Sequence, residues 1–270
     1  MISKILVPTD YSPVSAQALE YAHAFAQKTG VARIDVLHVF TPEMSAEPVV
    51  APAFDALLEQ HQESIKAFAE RVPAVEGITV HDEIKIGFAA DELVEASKEY
   101  DLVVMGTTGE SGVFERIFGK VASAVAQRAF CPVLLIPENL RFRKFKQIMY
   151  AGNDFSLSRR AMEAFFDFND LFHARTHFVH VEADDQKISR EELFGALFDS
   201  SDLNFAFDVG QVKAETVVDG LQEYAEKHRV DLAVMVTQHR GFWESFFHTS
   251  QTRQMVMAAD LPLLILHIED

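Results

Sequence analysis

The stretch of sequence that decides the fold is LVVMGTTGESGVFERIFGK, residues 102–120. It opens with four apolar residues, which are typical of a buried strand, and a helical pattern begins at its last residue. Gly106, Gly109 and Gly119 lie in it with the spacing Gly-x2-Gly-x9-Gly. Because glycine has no Cβ, backbone N–H groups can approach an anion closely there, and the following helix adds the positive end of its dipole. The spacing is neither that of the P-loop nor that of the first-turn dinucleotide fingerprint, and by itself it fits a strand-to-helix connection without a ligand equally well.

The strand before this loop is one of four segments that occur twice in the chain. The pairs are 4–12 with 147–156, 34–39 with 176–181, 101–105 with 231–235, and 131–136 with 261–266. They keep the same order, and Asp10 corresponds to Asp154. The chain is therefore interpreted as a tandem duplication.

Within each half, short apolar runs alternate with helical patterns. The runs in the first half are 5–7, 34–39, 102–105 and 133–136, and the helical patterns cover 12–27, 43–71 (one or two helices), a segment from 91 and a segment from 120 to 130. Strands that alternate with helices favour right-handed crossovers and a parallel sheet. We predict two doubly wound α/β domains of about five parallel strands each, at residues 1–139 and 147–270, with a linker at 140–146.

The last strand of each half is strongly apolar. Residues 133–136 and 263–266 would form aggregation-prone sheet edges if they were unpaired. We therefore expect the two halves to pack as an intramolecular pseudo-dimer, and a further homodimer stays open.

The composition excludes several classes of protein. The chain has 270 residues, a net charge of −17, a hydrophobic fraction of 49% and one cysteine, Cys131. These values argue against wholesale disorder, against nucleic-acid binding, and against a disulfide or thiolate metal cluster. The sequence shows no recognisable signal peptide or spanning segment, so we expect a cytoplasmic protein without a membrane partner.

Four stretches of the sequence carry a family resemblance: the glycine loop, the segment Cys131-Pro132-Val133-Leu134-Leu135-Ile136-Pro137, the opening Ile5-Leu6-Val7-Pro8-Thr9-Asp10-Tyr11-Ser12, and Leu37-His38-Val39. Together they resemble the universal stress protein family. The resemblance implies an adenine nucleotide α-hydrolase-like fold and a stress-response or signalling role. It also implies that Asp10 contacts a nucleoside, that the backbone of Val39 meets adenine, and that the glycine loop holds phosphates. The implied contacts to ATP or AMP, with or without Mg²⁺, are Pro8, Asp10, Val39, Met105, Gly106, Gly109 and Gly119. Asp10 fits the role of a helix N-cap as well.

The chain departs from the family pattern at Lys120. The nucleotide-binding branch of the family has Ser or Thr after the last glycine, where it donates a hydroxyl to phosphate. Lys120 is included among the candidate contacts as a flexible cation for phosphate, although a solvent-facing lysine explains it too.

The second half departs further. Val236, His239 and Thr249 stand where the first half has the three glycines, so each position carries a Cβ. We predict that this half has lost the nucleotide site and serves a structural or regulatory role.

Two residue clusters in the second half suggest other ligands. Seven histidines raise the possibility of a metal, but His177 and His180 are three apart on a predicted strand and so point to opposite faces. No metal site is predicted. Aromatic segments at 165–168, 205–207 and 242–247 fit either an apolar ligand pocket or, more simply, core packing. The histidines are His173, His177, His180, His228, His239, His248 and His267.

No catalytic motif accompanies these features. The chain has no Gly-x-Ser-x-Gly elbow, and Cys131 precedes a proline at the start of a buried strand. The leading hypothesis is a non-enzymatic nucleotide-binding protein with at most weak ATP hydrolysis. The alternative is an interaction scaffold of the same fold, and a hydrolase or ligase on this sheet would need further motifs.

Overall fold

The computed structural model describes residues 2–41, 51–107, 119–152, 159–182, 205–214, 217–238 and 261–268. The chain divides into two compact units, Ile2–Phe142 and Arg143–Asp270. The Phe142 ring packs edge-on against Tyr21 and Phe25 of the first unit. Phe145 lies in the second unit, where it is buried and contacts other phenylalanine rings. The predicted linker at 140–146 therefore has one phenylalanine ring packed in each unit.

The first unit is a parallel sheet with helices between its strands. The strands lie in the order β3-β2-β1-β4-β5, and each neighbouring pair is parallel. The strand order reverses direction between β1 and β4, which is where open α/β sheets bind ligands. Its elements are β1 (Lys4–Thr9), α1 (Pro13–Thr29), β2 (Arg33–Phe40), α2 (Ala51–Ala69), β3 (Thr79–Ile86), α3 (Ala89–Ala96), a 3₁₀ turn (Ser97–Glu99), β4 (Leu102–Gly106), α4 (Lys120–Arg128) and β5 (Val133–Ile136).

Helix α1 shows why these boundaries fall where they do. Ser12 is its N-cap, with the side-chain oxygen accepting the Ser15 N–H, and Pro13 occupies the first turn, where no N–H is needed. The helix ends at Gly30, which adopts φ 78° and donates its N–H to the Ala26 carbonyl. The cap fixes how the chain leaves β1.

The second unit repeats this architecture. The strands lie in the order β10-β9-β6-β7-β8, again with parallel pairs. The prediction of a doubly wound parallel α/β fold is confirmed. How the two halves pack against each other stays a prediction. The elements are β6 (Gln147–Ala151), α5 (Arg159–Asp170), β7 (Arg175–Glu182), β8 (Phe207–Lys213), α6 (Val217–His228), β9 (Leu232–Gln238) and β10 (Leu263–Ile268).

One aspartate ties the start of the first strand to the sheet in each unit. Asp101 Oδ2 accepts the N–H groups of Ser3 and Lys4, at 2.8 and 3.0 Å, and also the Ser3 hydroxyl. In the second unit, Asp231 Oδ2 accepts two successive N–H groups, those of residues 146 and 147. The duplication seen in the sequence thus extends to individual hydrogen bonds.

Two edge strands lie outside the sequence-predicted runs. In β3, five of eight residues are exposed, and the segment carries three acidic or basic side chains, so it has no apolar run. Strand β8 has no fully buried residue either, since its residues are half-buried or exposed. It contains Gly210, where a Cβ would meet the Tyr224 ring. Each of the two strands stands at one end of its unit's strand order. In the described ranges, no helix is both long and apolar enough to cross a membrane.

Candidate functional site

A cavity of about 470 Å³ lies at the carboxyl ends of β1, β2 and β4 in the first unit. Its position coincides with the reversal of strand order between β1 and β4. The walls are mostly apolar, with a few polar groups from the turn after β1 and from the start of α4. The lining residues are Pro8, Thr9, Asp10, Ser15, Leu37, His38, Val39, Ala89, Leu93, Met105, Gly106, Gly119, Lys120, Val121 and Ala122.

The structure brings most of the sequence-predicted contacts together here. Seven of the eight line the cavity, and Gly109 lies outside the described residues. These seven come from four separate segments of the chain, so their convergence is a product of the fold. The seven are Pro8, Asp10, Val39, Met105, Gly106, Gly119 and Lys120.

The turn between β1 and α1 holds Asp10 at the cavity. Asp10 Oδ1 accepts the Ser12 N–H at 3.1 Å, while Ser12 itself caps α1. The N-cap role considered for Asp10 is thus taken by Ser12, and the Asp10 carboxylate stabilises the turn from two residues before the cap. Tyr11 between them adopts φ 64°, an uncommon conformation for a bulky residue, and its N–H bonds the Thr9 hydroxyl at 2.9 Å. Strained backbone of this kind accumulates at binding sites.

Among the described lining residues, His38 is the one with an imidazole. Its Nδ1 lies 2.9 Å from the Thr9 carbonyl oxygen, and its ring centroid lies 4.4 Å from that of Tyr11 and 5.0 Å from that of His61 on α2. Burial lowers the pKa of His38 below its ordinary value, and the neighbouring His61 lowers it further against the opposing effects of the Thr9 bond and of Asp10. His38 is therefore neutral at pH 7.

Gly106 ends β4 at a point where another element passes close by. A Cβ at this position would collide with Cγ1 of Val14 on α1 and come within 3.3 Å of the Val14 carbonyl oxygen. Glycine is thus required at residue 106 by helix packing, whether or not a ligand binds.

The start of α4 closes the site on its other side. The Gly119 N–H bonds the Thr107 carbonyl at 2.9 Å, so the two ends of the glycine loop meet. The first intrahelical bond runs from the Ser123 N–H to the Gly119 carbonyl, at 2.9 Å. The N–H groups of residues 120–122 precede it, and Gly119 has no side chain with which to cap them. Such a helix start attracts anions.

The charges at the cavity wall are few. Among the described lining residues, Asp10 is the acid and Lys120, which is exposed, is the base. The Thr9 and Ser15 hydroxyls lie 3.0 Å apart, and the Ser15 hydroxyl donates to the Ser12 carbonyl. The wall thus offers one negative group on the β1 side. On the α4 side it offers one positive group and the N–H groups of the first turn of the helix.

Comparison with known proteins places the chain in a family. The profile of the universal stress protein family matches residues 1–137, half of the chain. The chain belongs to this family. A universal stress protein of Methanocaldococcus jannaschii is 33% identical over 144 residues, which cover 50% of this chain and 82% of the relative. One from Bacillus subtilis is 31% identical over 148 residues, covering 50% of this chain and 99% of the relative.

The fold of the whole chain also has a counterpart among solved structures. A universal stress protein from Archaeoglobus fulgidus matches 99% of this chain and 97% of its own with a TM-score of 0.76, at 22% sequence identity. That identity is low, so the match supports the universal stress protein fold across both units and carries no residue roles.

The second unit keeps one feature of the site. His180 Nδ1 lies 3.4 Å from the Gly152 carbonyl, which repeats the bond from His38 to the first strand. Val236 lies on β9 where the first unit has Gly106. His239 and Thr249, the other two substituted glycine positions, lie outside the described residues. The predicted loss of a nucleotide site from this unit stays a prediction.

Two described histidines of the second unit, His177 and His228, contact other side chains. His177 Nε2 lies 2.8 Å from Gln147 Oε1, and its Nδ1 lies 3.1 Å from the Tyr224 hydroxyl. The His228 ring stacks on Tyr224 with centroids 4.1 Å apart. Within the described residues, no three His, Cys, Asp or Glu side chains are grouped to hold a metal ion.

The aromatic segments of the second unit pack together. Phe165 and Phe168 are 0% and 1% exposed, and the Phe165 ring contacts Tyr150, Phe178 and Phe205. These rings form core, whereas residues 242–247 lie outside the described part of the chain.

Cys131 is buried just before β5. Burial, and secondarily the negative charge of Asp101, raise the pKa of the thiol to about 12. Its thiolate is therefore scarce at neutral pH.

Sequence reasoning missed several residues around the cavity. The sequence signal for His38 was available, because Leu37-His38-Val39 is matched by Val179-His180-Val181 in the second half. For Tyr11, the only sequence signal was its position next to Asp10. His61 had no signal, since the phase of the long helix between 43 and 71 was undetermined.

Proposed function

We propose that the first unit binds an adenine nucleotide, ATP or AMP, and that the second unit is structural or regulatory. The observation that carries the proposal is the cavity at the reversal of strand order, where seven family-type contact positions converge. Its volume of about 470 Å³ falls within the usual range for small-molecule pockets. The protein would act in a stress response or in signalling through binding.

The wall chemistry suits a ligand with an apolar and an anionic part. Leu37, Val39, Met105 and Leu93 supply apolar surface of the kind that receives a planar base. At the other side, the start of α4 and Lys120 supply donors for phosphate. In the second half of the sequence, Val236, His239 and Thr249 stand where the first half has its three glycines, so each position carries a Cβ, which is why binding is assigned to the first unit.

The same wall argues for binding rather than catalysis. Universal stress proteins are generally not enzymes. Among the described lining residues, the Ser15 hydroxyl bonds to Thr9 and Ser12, and the His38 Nδ1 bonds to a carbonyl. No serine is paired with a base there, so at most weak ATP hydrolysis is proposed. A cytoplasmic location and Mg²⁺ accompanying ATP are part of the proposal.

The first experiment is to denature the purified full chain and chromatograph what is released, and then to titrate ligand-free protein with ATP and AMP by calorimetry. Released adenine nucleotide, or saturable binding of one ligand per chain, supports the proposal. Failure of both nucleotides to bind, with and without Mg²⁺, would contradict it and would favour the interaction-scaffold alternative.

A substitution tests the phosphate side. Lys120→Ala is expected to weaken ATP by about tenfold or more and adenosine hardly at all, because a charged hydrogen bond contributes about 1.5–3 kcal/mol. Lys66→Ala, on the exposed side of α2, is the control with the same change in net charge. Equal small changes for ATP and adenosine would place Lys120 in solvent.

A further inference from the structure

Two large apolar side chains are exposed at the turn between β3 and α3. Phe88 is 73% exposed and Ile86 is 48% exposed, which makes them the two most exposed large apolar side chains of the described residues. Gly87 alone separates them, so their Cα atoms lie within about 7 Å of each other. A single exposed apolar residue is ordinary, but two neighbours in one turn present a joint apolar surface. We call Ile86 and Phe88 the Phe88 patch.

Phe88 occupies a position where a polar residue would serve the helix better. It is the N-cap of α3, with φ −86° and ψ 120°, and its side chain makes no capping hydrogen bond. Ser, Thr, Asp and Asn are preferred at this position, because their side-chain oxygen accepts an N–H group of the first turn. Phe88 therefore supplies neither a helix cap nor buried core, and a break of local rules without a gain in stability is typical of functional positions.

The turn that carries the Phe88 patch is held by the end of β2. The Gly87 N–H bonds the Phe40 carbonyl at 3.0 Å, and the Gly87 carbonyl accepts the Thr41 hydroxyl at 2.7 Å. Both backbone groups of Gly87 are thus engaged. The patch is presented on a fixed turn, so a partner that covers it has little backbone entropy to overcome.

The charge next to the Phe88 patch is negative. The Glu92 side chain lies against Gly87, because a Cβ added to Gly87 would come within 2.7 Å of Glu92 Oε1. Asp91 is paired with Arg128 at 2.8 Å, whereas no ion pair joins Glu92 to another residue of the described ranges. Lys85 precedes Ile86 on β3 and therefore faces the opposite side of the sheet. Glu92 is thus an uncompensated carboxylate beside an apolar surface.

This charge selects one kind of partner. A second copy of the chain would bring another Glu92 and more of the net charge of −17 to the patch, and like charges facing each other oppose association. An anionic lipid surface or a nucleic acid is repelled for the same reason. A basic segment with an apolar side chain matches both features, because the apolar group covers the two exposed side chains and the cation meets the carboxylate.

We propose that the Phe88 patch docks a basic, amphipathic segment of a partner protein. In this complex, an apolar side chain packs on Phe88 and Ile86, and a flanking Lys or Arg pairs with Glu92. None of these three residues lines the cavity of the first unit. Docking is therefore a separate activity, and it stands or falls independently of nucleotide binding.

The first test titrates the full chain with a fluorescein-labelled peptide that has Leu-Phe-Leu between two pairs of lysines. Two matched peptides carry glutamates in place of the lysines, or serines in place of the apolar residues. Fluorescence anisotropy at about 0.15 M salt limits attraction by distant charges. The basic apolar peptide should bind saturably, and each matched peptide at least about tenfold more weakly. Failure of the basic apolar peptide to bind, or equal binding of the serine peptide, would overturn the proposal.

Phe88→Ser separates docking from a structural role, because its two expected effects have opposite signs. Serine supplies the missing cap, so the thermal midpoint should rise, while the affinity for the basic apolar peptide should fall by about tenfold. Phe130→Ser is the matched control: Phe130 is 42% exposed and lies beside Lys98, past the other end of α3. Its affinity should equal that of the wild type. A lower midpoint with unchanged affinity in Phe88→Ser would show a structural residue and overturn the proposal.

Glu92→Gln tests the charged half of the docking surface. It should weaken the basic apolar peptide about 3- to 10-fold and reduce the salt dependence of binding. Glu99→Gln makes the same change in net charge on an exposed residue beyond the other end of α3, and should leave affinity unchanged. Equal losses in the two variants would mean that the peptide responds to net charge alone, which would overturn the proposal.

The same variants identify the other possible occupants of the patch. Self-association through it would appear in sedimentation velocity as a mass that grows with concentration in the wild type and not in Phe88→Ser. Docking to a lipid surface would appear as co-sedimentation with phosphatidylcholine vesicles that Phe88→Ser abolishes. Either result would overturn the assignment to a partner protein, whereas peptide binding without either of them supports it.

Discussion

The two units bury different groups at the same place in the same strand. Asp35 on β2 and His177 on β7 are equivalent in the duplicated segments, and they are 3% and 4% exposed. Asp35 receives two bonds from Arg33, at 2.7 and 2.9 Å, and one from the Tyr100 hydroxyl at 2.8 Å. His177 instead lies between a glutamine and a tyrosine. A buried polar site thus persists while its charge changes.

The ionisation of the two sites follows from these partners. Burial acts to raise the pKa of Asp35, but the hydrogen bonds from Arg33 and Tyr100 outweigh it, so the pKa lies below its ordinary value. Burial lowers the pKa of His177, opposed by the charge of Asp208. The first unit therefore buries a carboxylate and the second a neutral imidazole. The comparison teaches that this fold accepts either group when every polar atom has a partner.

The largest expected effect concerns this pair. Asp35→Ala should lower the free energy of unfolding of the first unit by about 2–4 kcal/mol, because it removes hydrogen bonds to a charged group and leaves the buried Tyr100 hydroxyl without its acceptor, whereas the exposed Arg33 returns to water. His177→Ala should cost the second unit about 1–3 kcal/mol, since only neutral bonds are lost. Chemical denaturation followed by hydrogen exchange in each unit measures both. A larger loss from His177→Ala than from Asp35→Ala would contradict the expectation that the buried carboxylate contributes more to stability than the neutral imidazole.

The next effect concerns Gly106 and its counterpart Val236. Gly106→Ala should destabilise the first unit by about 1–3 kcal/mol, because its Cβ meets Val14. Adding Val14→Ala should recover part of that loss, which makes the pair non-additive. The free energies of unfolding of the two single variants and the double variant test this. Strict additivity would mean that the helix moves aside instead of resisting the Cβ.

A third effect compares the two strand-start aspartates. Asp101→Ala removes three hydrogen bonds and Asp231→Ala removes two. Each should cost about 1–2 kcal/mol, with Asp101 the larger. Amide exchange of residues 3, 4, 146 and 147 should rise in the corresponding variant alone. Exchange that rises in both units would instead indicate coupling between them.

The smallest effect is one of pH. Because the folded pKa of His177 lies below its unfolded value of about 6.5, the unfolded chain binds the proton more readily, and stability falls as the pH drops below about 6.5. His177→Gln should flatten this dependence between pH 7 and 5.5 by less than about 1 kcal/mol. Asp35→Asn lowers stability overall but should leave the slope in that window unchanged, because a lowered carboxylate pKa acts only below about 3.9. Identical slopes for wild type and His177→Gln would contradict the assignment.

The sequence predicted the central strands and the place of the cavity because both rest on local signals. Apolar runs mark strands that are buried on both faces, and Gly106 and Asp10 follow such strands directly. The edge strands β3 and β8 were not predicted, because one side of each is solvated and charged residues interrupt the apolar run that would mark a strand.

The surroundings of the cavity were less predictable. The contact between His38 and His61 joins β2 to a helix more than 20 residues later in the chain, and its geometry depends on the rotation of α2 about its axis. The exact role of glycine at 106 depends on Val14, which sequence spacing does not place. Whether the lining residues contact a nucleotide stays a prediction.

Cys131 turns the lack of other cysteines into an experimental opportunity. A thiol reagent added to the native protein has a single target, and that target reacts only when the chain around β5 opens. The labelling rate of Cys131 therefore reports how often the first unit opens locally, and it requires no engineered probe. A ligand that stabilises the closed first unit would lower this labelling rate, whereas conformational changes confined to the second unit would leave it unchanged.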